Sequence, residues 1–126
     1  MPWRDTFASK RIIAFRYAFK GAWLLLKNEP SIQVQFSMAI IVTVAGFFFQ
    51  ISQTEWILQL LAIGLVLAIE GLNTAVEKIA DFIHPDFHTK IGDIKDVAAG
   101  AVTFAAIIAA VIGFIIYTPY IVELAN

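Results

Sequence analysis

Four polar residues fall on one helical face in the middle of a mostly apolar chain: Glu70, Asn73, Glu77 and Asp81. At 100° per residue they lie within about 80° of one another, with Glu70 and Glu77 about 10 Å apart along the axis. The stretch leading into them, Trp56 to Ile69, carries a single polar side chain, Gln59. A carboxylate carried into or near a bilayer is a functional-site candidate by default, because an ionised group is expensive there. Glu70, the deepest, suits a general base that takes a proton from a lipid hydroxyl. Glu77 is two turns nearer to water, at a level that metal ions and nucleotides reach. Glu29, on another helix, is expected at that same level. Mg²⁺ takes such oxygen ligands, often one or two carboxylates together with substrate phosphates and water. Lys95 is expected there too and would pair with phosphate. The same groups have plainer uses, as interhelical hydrogen bonds and ion pairs or as relays for protons or ions.

Other chemistries find little support. The chain has no cysteine, so there is no disulfide frame, thiol nucleophile or Cys-based zinc site. Its seven glycines match neither the GxxxxGK[ST] phosphate loop nor GxGxxG. His84 and His88 have a metal-binding spacing, but Pro85 lies between them and breaks the helix that the spacing requires. They read as loop histidines.

The elements that position these residues must be membrane helices. Of 126 residues, 60% are hydrophobic and 15% charged, far from the soluble average. Mean hydropathy is +0.78. No short apolar core with a small-residue cleavage site marks a signal peptide at the N-terminus, so the first span itself is expected to direct insertion. Residues 7–27 read as an amphipathic helix. Ile12, Phe15, Phe19, Trp23 and Leu26 form its apolar stripe, and Lys10, Arg11, Arg16, Lys20 and Lys27 are its basic groups. With that many charges it is expected to lie on the membrane surface, near anionic lipid. Pro30 suits a first helical turn. Three spans are expected to follow, at 32–51, 56–83 and 96–118, with a polar loop between the last two. The fold class is therefore an all-α integral membrane protein with one surface helix and three transmembrane helices, as a single domain over 1–126.

All nine Lys and Arg precede Pro30 or fall between Lys78 and Lys95. By the positive-inside rule the N-terminus and the loop before the third span are cytoplasmic, and the C-terminus is outside. Ala101, Ala105, Ala109 and Gly113 repeat at helical spacing, as do Gly64, Ala68, Gly71 and Ala75. Such faces let helices approach closely in lipid, within a chain or between chains.

The run Glu70-Gly-Leu-Asn73-Thr-Ala75-Val-Glu77, with Asp81, His88 and Lys95-Asp96-Val-Ala-Ala-Gly100, resembles the signature of the prokaryotic diacylglycerol kinase family. Phe15 to Gly21 and Asn28-Glu29 extend the likeness over nearly the whole chain. The resemblance implies a homotrimeric bacterial inner-membrane kinase that moves the γ-phosphate of Mg-ATP to a membrane lipid alcohol, with no nucleic-acid partner. It implies Glu70 as the general base and Glu29 with Glu77 as metal ligands. Asn73 falls at a phosphate- or substrate-contacting position. Lys95 and Asp96 fall at nucleotide-contacting positions, and Lys10, Arg11, Tyr17 and Lys20 near the surface-helix end of that site. One departure stands out: at Gln33-Val34-Gln35, members often carry an arginine or a carboxylate, and both are absent here. The wording around Asp81 to His88 and after Asp96 is closer to undecaprenol kinases than to diacylglycerol kinases, the alternative. A non-enzymatic channel or ion-coupled transporter built on the same acidic face is the rival class.

Overall fold

The computed structural model describes residues 6–126 as four helices: α1 (Phe7–Asn28), α2 (Pro30–Phe49), α3 (Gln53–Ile83) and α4 (Thr89–Ala125). Each helix end has a local cause. Thr6 caps α1, its hydroxyl accepting from Ser9 N–H at 3.2 Å. Glu29 precedes a proline, which disfavours the helical region for it, and it adopts φ −105°, ψ 111°. One extended residue therefore ends α1 and starts α2, with Pro30 in the first turn. The α2–α3 turn passes through Gln50 in the left-handed region (φ 52°), with Ile51 N–H donating back to Gly46 C=O at 3.1 Å. Ser52 and Glu55 then form a reciprocal capping box at the head of α3. His88 caps α4 by accepting from Lys90 N–H at 3.1 Å.

The helices α3 and α4 form the main packed pair, α2 leans on α3, and α1 rests on α2. Two glycines mark close approaches. A Cβ at Gly46 would sit 2.7 Å from the Trp56 ring, and one at Gly71 would sit 3.1 Å from Leu25 of α1. An apolar groove of about 520 Å³ runs between α2, α3 and α4, with Gln35, Val66, Ala109 and Tyr117 among its walls.

Among the described residues the buried apolar set is small: Ile32, Ile51, Val66, Ala80, Ala105 and Ile116. Large apolar side chains such as Ile40, Phe47, Leu61 and Phe104 face outward. Water would not tolerate so much apolar surface, and lipid does. Three helices, α2, α3 and α4, are long and apolar enough to cross a membrane. The expected class, all-α with an N-terminal helix and three membrane-crossing helices, is thus the observed one. Ile12, Phe15, Phe19 and Trp23 of α1 are all exposed, so nothing among the described residues covers that stripe.

Helix ends differ from the expected spans. α4 begins at Thr89 and not near Asp96, because His88 supplies the cap, so Lys95 and Asp96 are helical residues. α4 also continues through Pro119 to Ala125. Hydroxyls on either side of that proline, from Tyr117 and Tyr120, hold the segment to Gln59 and Glu55 of α3. The small-residue faces divide: Ala105 of α4 is buried, whereas Gly64, Ala68 and Ala75 of α3 face outward.

Candidate active site

The polar stripe of α3 runs from buried to open. Glu70 is 7% exposed and makes no hydrogen bond or ion pair among the described residues. Thr74 beside it is also buried. Asn73 is half-buried; its amide Nδ2 donates to Glu77 Oε1 at 3.3 Å, and its Oδ1 is buried without any partner. Glu77 and Asp81 are exposed. The gradient follows from geometry: each helical turn toward Ile83 carries the same face about 5.4 Å further from the packed middle of the bundle. Asn73 Oδ1, buried without a partner, is an exception to the rule that buried polar groups are bonded, and the carboxylate of the mostly buried Glu70 has no hydrogen-bond partner among the described residues. Both remain open as acceptors.

Glu29 reaches this end of the bundle from the α1–α2 junction. It caps α2 through its backbone only, its side chain making no cap bond. The carboxylate instead meets Lys78 Nζ at 3.5 Å. Lys78 follows Glu77 in α3, so Glu29 and Glu77 share one end of the molecule, as their separate positions in sequence suggest. Lys95 of α4 donates to Asp81 of α3, on the rim of a small cleft that also involves His84, Asp86 and His88. Asp96 is exposed, one residue further round α4.

Lys10, Arg11, Tyr17 and Lys20 lie exposed along α1, with Arg11 stacked over the Phe7 ring at 4.9 Å. At 1.5 Å per residue they stand about 14 to 28 Å from Glu29 along the helix. Within one chain the structure does not bring them to Glu70, Glu77 or Lys95. His84 and His88 have ring centroids 5.2 Å apart, and their Nδ1 atoms engage the Asp86 C=O and Lys90 N–H. Among the described residues, no three His, Cys, Asp or Glu side chains cluster to hold a metal by themselves.

Two residues with clear work in the structure went unflagged in the sequence. Lys78 is the Glu29 partner, and nothing in its spacing points across to α2. Gln33, read only as a departure from family wording, donates through Nε2 to the Leu26 and Lys27 carbonyls at 3.1 and 3.0 Å. It satisfies open carbonyls at the end of α1, which a carboxylate could not do.

The prokaryotic diacylglycerol kinase family model matches residues 16–117 of the chain. The chain is 36% identical to the undecaprenol kinase of Bacillus subtilis (strain 168) over 106 residues, covering 84% of this chain and 86% of that one. It is 29% identical to the diacylglycerol kinase of Haemophilus influenzae over 110 residues, covering 87% and 93%. It is also 29% identical to the diacylglycerol kinase of Escherichia coli (strain K12) over 111 residues, covering 85% and 88%. The matched residues include the whole Glu70–Asp81 stripe, Glu29 and Lys95-Asp96, and on that ground the chain belongs to the prokaryotic diacylglycerol kinase family.

Proposed function

We propose that this chain is a membrane lipid kinase that phosphorylates undecaprenol with Mg-ATP at the end of the bundle holding Glu29, Asn73, Glu77 and Lys95. The observation that carries the reaction is Glu70: a buried carboxylate without a partner, two turns below an exposed one. The lipid hydroxyl gives its proton to a Glu70 oxygen as the hydroxyl oxygen attacks the γ-phosphorus. The bond from that phosphorus to the bridging oxygen breaks, and ADP leaves with the electron pair.

The donors fit Mg²⁺. Glu29, Glu77 and the unpartnered Asn73 Oδ1 are all hard oxygen ligands. Fewer than three acidic side chains suits an ion that keeps phosphate and water as its remaining ligands. Bound with the nucleotide, the ion neutralises charge on the phosphates. Asn73 orients Glu77 through its amide, and Lys95 and Asp96 sit at the nucleotide end. Lys10, Arg11, Tyr17 and Lys20 of α1 are assigned to the same nucleotide region, contributed across a homotrimer. The outward small-residue face of α3, Gly64, Ala68 and Ala75, suits that assembly. The protein sits in the bacterial inner membrane with its N-terminus and the 84–88 loop in the cytoplasm.

The 36% identity to a protein named undecaprenol kinase favours that lipid. The 29% relatives named diacylglycerol kinase favour diacylglycerol as the second reading. Purified protein in mixed micelles with ATP and each lipid alcohol separates them. Phosphate transfer to undecaprenol well above that to diacylglycerol is the expected result, and the reverse preference replaces the substrate. Ion flux without ATP turnover would replace the kinase.

A further inference from the structure

The ion pair between Lys78 and Glu29 has a consequence for the metal site. Glu29 is held at a junction where its backbone alone does the capping, so its carboxylate is available to α3. Its side chain is 25% exposed, whereas that of Lys78 is 71% exposed. Glu29 is therefore the partner packed into the junction and Lys78 the one that stands in solvent. Lys78 lies outside the Glu70–Glu77 stripe, about 100° round the helix from Glu77, and bends across to α2 to meet the carboxylate. Among the described residues Glu29 is its one charged partner. A cation thus already stands against the carboxylate expected to receive a divalent cation.

We propose that Lys78 is a resident counter-ion: it holds Glu29 in place before the metal–nucleotide arrives and is displaced from the carboxylate when the metal binds. This rests on Glu29 and Glu77 being metal ligands. Lys78 acts through Glu29 and is a positioning residue. An ammonium on a four-carbon stem suits that role, since it is a point charge that swings away into water without breaking a bidentate geometry. The pair is partly exposed, with the lysine in solvent, so its displacement costs little, and the effect on metal affinity is modest. An exposed ion pair corresponds to at most about a fivefold change in an equilibrium constant.

The test is Mn²⁺ binding to the full-length, nucleotide-free protein in detergent micelles, read by the loss of the free-ion paramagnetic signal. Lys78→Met keeps the apolar stem and removes the charge. It should tighten Mn²⁺ binding about three- to fivefold at low salt, with the advantage shrinking at high salt. Lys78→Arg should keep the wild-type affinity. A simple tie between α2 and α3 predicts the opposite, with Lys78→Met leaving affinity unchanged or weaker as Glu29 drifts, and that result overturns the proposal. Unchanged Mn²⁺ affinity with weaker ATP binding makes Lys78 a phosphate contact and also overturns it. Glu29→Gln and Glu77→Gln are the controls. If both bind Mn²⁺ like wild type, or no protein binds it, the shared metal site itself falls. If both weaken binding and Lys78→Met does not tighten it, only the counter-ion role falls.

Discussion

The two ends of the helical bundle each carry a cluster of polar side chains, and they treat them in opposite ways. Around the α2–α3 turn the side chains of Ser52, Glu55, Gln59, Tyr117 and Tyr120 are all hydrogen-bonded. The Tyr117 hydroxyl lies within bonding distance of the Val42 carbonyl and the Gln59 amide oxygen, and Gln59 Nε2 donates to the same carbonyl at 3.1 Å. Tyr120 donates to Glu55, which also accepts from Ser52 N–H at 2.9 Å. Toward the other end, among the described residues, Glu70 has no partner and Asn73 Oδ1 is an orphan, while Glu29 and Lys95 hold single, partly exposed ion pairs. In a bilayer an unmatched polar group is costly, so a cluster that stays unmatched needs a ligand to explain it. A closed cluster joins helices. An open one leaves its groups to a ligand or to a neighbouring chain.

Substitutions should separate the two ends by kind of effect as well as size. The largest is expected for Glu70→Gln, which keeps shape and removes the proton acceptor. Its kcat should fall about 10²–10⁴-fold with ATP binding largely kept. A folded variant retaining half the wild-type kcat would place Glu70 with the structural groups and erase the contrast. Next come Glu77→Gln and Glu29→Gln. The Mg²⁺ concentration needed for half-maximal activity should rise at least about 10- to 100-fold, the range seen for groups one step further from a metal. Activity titrations with unchanged Mg²⁺ dependence in both would remove the shared metal site.

Lys95→Ala should act on the nucleotide. A hydrogen bond to a charged group contributes about 1.5–3 kcal/mol, so the KM for ATP should rise roughly tenfold or more while the helices stay assembled. Steady-state kinetics at varied ATP decide it, and an unchanged KM takes Lys95 out of the site. At the closed end the effects should be on stability. Gly46→Ala drives a methyl to 2.7 Å from the Trp56 ring, and overpacking of that kind costs about 1–3 kcal/mol. Denaturation in detergent should show the loss with turnover per folded molecule intact. Tyr117→Phe is the smallest change. Interhelical hydrogen bonds in membranes average about 0.6 kcal/mol, so stability should drop slightly and kcat stay within twofold. A large kcat loss in Tyr117→Phe would mean that the two ends are coupled.

Much of the open end was legible because its signal is local. Glu70, Asn73, Glu77 and Asp81 share a face by helical period alone, and the apolar run before them tells that they enter from a membrane span. Glu29 before Pro30 marks a helix junction for the same kind of reason: proline restricts the residue before it wherever the pair occurs. The start of α4 was less legible. His88 as a helix cap depends on a ring nitrogen meeting Lys90 N–H, and histidine is a weak capping signal beside Ser, Thr, Asp or Asn.

The sequence by itself determined four helices, three of them long and apolar enough to cross a membrane, and the face of α3 on which carboxylates meet. These follow from periodicity, hydropathy and capping, which act over a few residues. Only the tertiary structure decided which polar groups are used up and which are left over. Tyr117 finds Gln59 across 58 positions, Lys95 finds Asp81 across 14, and Lys78 finds Glu29 at the α1–α2 junction. Those pairings depend on the spacing and axial register between helices, which no local period sets. The same register leaves Glu70 buried without a partner, so the contrast between a closed end and an open one exists only once the helices are packed.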